Sequence, residues 1–260
     1  VTVEAAAPQF VRGEEPLHRH LPLRCGGAIE QWAEVQDEAE LLALIKQARQ
    51  ERWILRPIPA FQDALPPEGG LVGVGLRFGG ELEQVNDADG GALRVGAGAL
   101  LAPLGLRPGF EALLRAPGTL WDAYEEGWIL PAVLRIRRFR GRGFEDVDAA
   151  PSDGKTLLVS AVLRRGAKLT PPASGQAFRE LTGNRKGPSM RDLLRKAQLA
   201  GLRVHGATLG EHDPAVLANR GDATPRHLRT LLAAVRERVH VATGIQLEER
   251  LVPAGRGGRL

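Results

Sequence analysis

Apolar positions first recur at helical spacing in DEAELLALIKQARQE, where Leu41, Leu44, Ile45 and Ala48 share a face and Asp37 with Glu40 reads as a capping box. The short apolar run RWILRPI predicts a buried strand stopped by Pro57 and Pro59. GLVGVGLRF and ALRVGAGALL, rich in Gly and Val, predict two further strands separated by the turn-forming NDADGG. FEALLRAPGTLWDAYEEG reads as a helix, a Pro-Gly turn and a second short helix, and ILPAVLRIRRF and KTLLVSAVLRR read as strands.

After the Pro-rich hinge KLTPPASG the texture changes, which places a domain boundary at about residues 166–172. PSMRDLLRKAQLAG predicts a helix with Ser189 as cap, Asp192 three residues on, Leu193, Leu194 and Ala197 on its apolar face and Gly201 as stop. LRVHGATLG and AVLANRG each predict a strand. The longest helix runs from the cap Thr224, with Pro225 in its first turn, to Gly244, and Leu228, Leu231, Leu232, Val235 and Val239 form its stripe. Residues 1–16, rich in Ala, Glu and Pro without an apolar period, read as a disordered lead-in.

With 43% hydrophobic and 25% charged residues over 260 positions, the chain has the make-up of a globular protein with a sizeable core. Its single cysteine, Cys25, excludes an internal disulfide framework, and no Cys/His spacing suggests zinc. No apolar run approaches the roughly 20 residues of a membrane span, and the start lacks a secretory pattern, so a cytoplasmic protein is expected. The net charge is only +4 although the pI is near 9.7. The arginine cluster at 135–142 is a candidate phosphate or nucleic-acid contact. Its blander reading, a set of solvated strand edges, is the favoured one. Of the six histidines, His227 and His240 are expected on the exposed side of the last helix and His212 in a surface turn, in solvated or structural roles.

The order of these pieces resembles the UDP-N-acetylenolpyruvoylglucosamine reductase (MurB) family over nearly the whole chain. LRKAQLAGLRVHGATLGEHDPAVLANRGDATPRHLRTLLAAVRERVHVATGIQLEERL is similar to its C-terminal domain, with Asn219, Gly221, Ala223, Thr224, Gly244, Ile245, Leu247 and Glu248 in place. LPLRCGGAIEQWAEVQDEAELLALIKQAR, with Gly26 and Gly27, is similar to its first segment, LRVGAGALL to a Gly-containing strand, and FEALLRAPGTLWDAY to its Pro-Gly-Thr turn. The resemblance implies an α+β fold: a reduced two-lobed flavin-binding-type domain over 17–168 and a MurB-type α+β domain over 169–260. The family uses FAD and NADPH to reduce the enolpyruvyl group of a UDP-sugar in bacterial peptidoglycan precursor synthesis.

Residue by residue, the resemblance also implies losses. Where the family has a glycine-rich pyrophosphate loop, this chain has Pro57, Pro59 and Phe61; glycine backbone N–H groups can approach phosphate, whereas proline has none to donate. Pro117, Gly118 and Thr119 are retained, but Trp121 and Asp122 replace the paired glycines that follow. In SGQAFREL, Gln176 stands at the position of the proton-donating serine, and an amide has no dissociable proton near neutral pH. Arg179, Glu180 and Leu181 stand where the family has Lys-Asn-Pro. Arg250 stands at the catalytic glutamate and Ala150 at the catalytic arginine.

The sequence therefore predicts a non-catalytic MurB-like protein without cofactor, its cleft narrowed by Phe61, Trp121 and Trp128. It would act as an interaction module whose protein partner belongs to the peptidoglycan-synthesis or cell-division machinery, away from membrane and nucleic acid. The alternatives are an active FAD- and NADPH-dependent reductase with a diverged site, and a phosphate- or nucleic-acid-binding protein working through the arginine cluster.

Overall fold

The computed structural model describes residues 11–58, 64–65, 67–153, 156–171, 178–180, 189–249 and 252–253. Pro59, Phe61, Gln176 and Arg250 lie outside them.

The first lobe holds β1 (Val11–Arg12), β2 (Glu15–Pro16), β3 (Ala28–Val35), α1 (Glu38–Gln50), β4 (Leu55–Pro57), β5 (Ala64–Leu65) and β6 (Leu71–Phe78). Its sheet runs β1-β3-β6-β4, with β3, β6 and β4 mutually parallel and β1 and β2 antiparallel to β3. Residues 11–16 are thus not a disordered lead-in: Val11 faces Ala33 and Glu15 faces Ile29, so these backbone groups join an existing strand. Strand β3 is absent from the pattern-based prediction because its alternation is broken. Trp32 and Ala33 are both buried and a bulge follows Ile29, so no period-2 alternation shows.

Helix α1 starts as expected, with the Asp37 carboxylate accepting from Glu40 N at 2.8 Å; the Glu40 carboxylate reaches one residue further back, to Gln36 N. Its buried face packs with β3 and β6 on one side and with Phe139, Leu157 and Val159 of the second lobe on the other. The helix is the joint between the lobes.

The second lobe holds β7 (Val85–Ala88), β8 (Ala92–Gly96), α2 (Leu120–Glu125), β9 (Val133–Arg140), β10 (Gly143–Asp148) and β11 (Leu157–Leu163). They form one antiparallel sheet ordered β10-β9-β11-β8-β7. NDADGG is not a plain turn: Asn86–Ala88 belong to β7, and Asp89–Gly91 alone reverse the chain, with Gly90 and Gly91 at positive φ.

The C-terminal region holds β12 (Phe178–Glu180), α3 (Met190–Lys196), β13 (Arg203–Val204), β14 (Ala207–Leu209), β15 (Leu217–Asn219), α4 (Pro225–Thr243), β16 (Leu247–Glu249) and β17 (Val252–Pro253). The predicted stripe of α4 is buried throughout, and Gly244 caps it in the left-handed conformation. Helix α3 ends at Lys196, before Gly201, because Gln198 already turns left-handed at φ 55°. LRVHGATLG is a hairpin instead of one strand, turning at His205 with φ 50°.

The C-terminal core also takes in Leu23, Cys25 and Leu65, so packing crosses the predicted boundary near 168. Asn219 fixes this junction, its Nδ2 donating to Leu23 O at 2.9 Å and its Oδ1 accepting from Gly221 N and Ala223 N. Burial pushes the Cys25 thiol up to about 11, which keeps it protonated and inert.

Gly27 is retained for backbone contact. A Cβ there would meet Gly70 N and lie 2.8 Å from Glu68 O, where β3 and β6 begin side by side. Gly27→Ala is expected to destabilise the protein by about 1–3 kcal/mol, as overpacking against rigid backbone does, read as a lowered denaturation midpoint; an unchanged midpoint would show that the two strand starts can part freely.

Candidate functional site

A cavity of about 480 Å³ opens where the lobes meet. One side carries Trp32 from β3, Ile58 after β4, Arg77 and Phe78 at the end of β6, and Arg19 with His20 from the segment before β3. The other carries Glu83, Gly98 to Leu100 after β8, and Thr119 and Trp121 at the start of α2.

Two aromatic pairs shape it. His20 stacks on Trp32 with centroids 3.8 Å apart, and its Nε2 lies 3.0 Å from the Glu15 carboxylate. That bond, aided by the charges of His20 and Arg19 against the opposing effect of burial, holds the Glu15 carboxyl below its ordinary range. Across the lobe boundary Phe78 meets Trp121 at 5.8 Å. Trp121 is half-buried and packs against the cores of both lobes, as expected of a residue narrowing the cleft. The cleft is lined by Trp121 and stays open. Trp128 does not line it; it packs on the core of the second lobe. Trp32 is 1% exposed and its indole N–H, itself buried, has no acceptor among the described residues.

The backbone around the cavity is largely satisfied from within. Pro57, buried at the end of β4, has no N–H, and the Ile58 N–H is donated to Leu76 O at 3.0 Å. In the second segment Thr119 N donates to the Asp122 carboxylate at 2.8 Å, Leu120 N to Ala99 O at 3.0 Å, Trp121 N to Ala97 O at 2.9 Å and Asp122 N to Thr119 Oγ1 at 3.3 Å. Facing them, Ala97, Gly98, Ala99 and Leu101 donate to Val159, Leu82, Gly96 and Gly118 carbonyls. A pyrophosphate normally rests on several free backbone N–H groups of a glycine-rich turn. Across residues 57–58 and 119–122 none is left over, so these residues offer the diphosphate of a dinucleotide such as FAD no backbone donor.

Asp122, which stands in place of a glycine, is therefore structural. It is 5% exposed, and with Thr119 it forms a complete capping box that starts α2. Gly118 makes the box possible: its φ of 71° turns the chain, and a Cβ there would press on the Asp122 side chain. Thr-x-x-Asp is legible in the sequence as a capping signal, and it identifies Asp122 without any structure. Gly26 sits at φ 113° before β3, and Pro117 is half-buried before the box. Ala150 contributes its carbonyl, which accepts from Tyr124 Oη at 2.9 Å; burial raises the Tyr124 phenol.

The arginine cluster lies apart from the cleft and not on a sheet edge, because β9 is paired on both sides, with β10 and β11. Glu145 stands opposite Arg138 and Asp146 opposite Arg137 in the ladder, and the side chains meet at 2.8 Å and 2.6 Å. Arg137 also forks onto Glu38 of α1, with Nη2 to Oε2 at 2.8 Å, and this bond holds its guanidinium firmly charged. Arg140 lies 3.6 Å from Asp153, and Arg135 and Arg142 remain exposed. Most of the cluster's charge is matched internally.

His227 is half-buried and not solvated as expected: its Nδ1 accepts from Thr224 N at 3.3 Å in the cap of α4, and its ring stacks on His205 at 4.1 Å. His240 and His212 are exposed.

Two α+β lobes joined by a helix, with a cleft between them and a third α+β unit packed on the first, define a flavin-binding-type fold with an appended domain. Residues 167–252 match the family model for the UDP-N-acetylenolpyruvoylglucosamine reductase C-terminal domain. The chain is 26% identical over 285 residues to UDP-N-acetylenolpyruvoylglucosamine reductase 2 of Symbiobacterium thermophilum, covering 93% of this chain and 91% of that one. It is 28% identical over 297 residues to the reductase of Trichlorobacter lovleyi, covering 94% of each. The crystal structure of MurB from Thermus caldophilus superposes with a TM-score of 0.68 at 20% identity, covering 92% of this chain and 98% of that one, which shows a shared fold. The chain is thus similar to MurB reductases over nearly its whole length, and its residues 167–252 match the model of that enzyme's C-terminal domain.

Replacing Asp122 removes the partner of both Thr119 donors. Asp122→Ala is expected to cost about 1–2 kcal/mol, the worth of a helix cap, read from the denaturant midpoint. No change would show that the capping box does not stabilise α2.

Proposed function

We propose that this MurB-like chain binds a ligand in its interlobe cleft without performing the family's FAD- and NADPH-dependent reduction, and serves as an interaction module of peptidoglycan precursor synthesis or cell division. One observation carries this reading: the backbone donors of residues 57–58 and 119–122, where the family resemblance implies a cofactor cradle, are absent or held by the protein itself. The sequence supports it independently through Gln176 and Arg250, which cannot act as a proton-donating hydroxyl and a carboxylate. The open cavity, within the roughly 300–1,000 Å³ range of ligand sites, supports retained binding.

Active reduction of UDP-N-acetylenolpyruvoylglucosamine is the second reading. Relatives that carry the reductase name and match at nearly full length favour it. Turnover separates the two. With FAD or flavin mononucleotide supplied in excess, no NADPH oxidation dependent on the UDP-enolpyruvyl sugar is expected; such oxidation would overturn the first reading and establish the second.

A further inference from the structure

Helix α4 carries positive charge that the protein itself does not match. Arg226, Arg229 and Arg236 are exposed on it, and none has an ion pair or a hydrogen-bonded side chain among the described residues. With Ala233 and His240 they recur at i, i+3, i+7, i+10 and i+14, which lines them up along one side of the helix over about 21 Å. The opposite side is the buried stripe that packs on the C-terminal core.

The fold gains nothing from these arginines. Cations are disfavoured near the positive N-terminal end of a helix, yet Arg226 and Arg229 stand in the first two turns of α4, and its first turn holds no acid. Within the helix, no carboxylate lies three or four residues from any arginine of the stripe, while Arg226 and Arg229 set like charges side by side. Asp222, four residues before Arg226 and outside the helix, lies against Gly206. On β9, by contrast, Arg137, Arg138 and Arg140 each meet a carboxylate of the chain. Charge kept at a cost to its own helix calls for an anion from outside.

The surface itself selects among anions. Ala233 keeps the middle of the stripe low enough for another backbone to approach, and Val241, 80% exposed, adds an apolar contact near its end. Single-stranded nucleic acid is held by aromatic rings as well as by charge, and α4 has no Phe, Trp or Tyr. A second copy of the chain is a poor occupant, because a two-fold contact would set arginine against arginine.

We propose that the exposed side of α4 docks an acidic amphipathic helix of a partner protein, its carboxylates meeting Arg226, Arg229 and Arg236 and its small apolar side chains facing Ala233 and Val241. Guanidinium forks take carboxylates through paired bonds, which sets the register of the two helices. The proposal rests on the reading of the chain as an interaction module and deepens it by naming the surface and the partner's chemistry.

The probe is a labelled Ala-rich peptide of about 20 residues, long enough to be helical, with glutamates along one face. It is compared with a scrambled isomer of the same composition. Anisotropy titrations with the full chain are expected to give saturable binding, at least roughly tenfold tighter for the patterned peptide. Arg229→Gln with Arg236→Gln is expected to reduce binding to the isomer's level while the denaturation midpoint stays or rises. Arg135→Gln with Arg142→Gln removes the same charge from exposed positions of the second lobe and is expected to bind like the parent. Equal binding of the two peptides, or tighter binding of an RNA oligonucleotide or of phosphatidylglycerol vesicles, would overturn the assignment. So would an α4 variant that binds like the parent or has a lowered midpoint, or an equal loss in the second-lobe variant. The interaction-module reading fails by a separate observable, sugar-dependent NADPH oxidation, which these titrations do not measure.

Discussion

Three hydrogen bonds, Leu101 N to Gly118 O, Leu120 N to Ala99 O and Trp121 N to Ala97 O, stitch the segment after β8 to the start of α2. The rest of the cleft follows from them. They fix the backbone at Trp121, so its ring must lie in the wall between the lobes, against Phe78. They bring Thr119 and Asp122 into the capping box that launches α2. They also hold the Leu101, Leu120 and Trp121 N–H groups, and a backbone N–H in one good bond has little left to offer another.

The joint beneath the cleft is held by different physics. Helix α1 buries Leu41, Leu44 and Ile45 between the two sheets, and Arg137 reaches from β9 to the first turn of that helix while also bonding Asp146. Half-exposed ion pairs of this kind contribute little individually; their effect here is geometric, since one guanidinium reads a position on each lobe. The same pairing explains how an arginine-rich chain with a high pI presents no strong cationic stripe on β9: Arg137, Arg138 and Arg140 each face a carboxylate.

Much of the architecture was legible. The stripe of α4, the caps Asp37, Ser189 and Thr224, and strands β6, β9 and β11 all follow from periodicity and capping chemistry. Strand β3 was not legible, because the neighbours Trp32 and Ala33 are both buried and the bulge after Ile29 shifts its phase. Strand β7 and the hairpin turn at His205 were hidden for a related reason: strands of two to four residues are too short to show a period. In the site, the family resemblance pointed to Trp121 as a cleft residue and to Asp122 without its role. The first is a wall residue and the second a cap, and only the Thr-x-x-Asp spacing hinted at the latter. Trp32, Phe78 and Arg77 come to the cleft from β3 and the end of β6, and no local pattern in either strand indicates that they share a cavity.

The central claim is that the cleft backbone is bonded to itself. Amide hydrogen exchange at Ile58, Leu120 and Trp121 measures this directly. Slow exchange in the free protein, unchanged when FAD is added, is the predicted result. Fast exchange that becomes slow only with FAD would show that these N–H groups await a diphosphate, and would contradict the account.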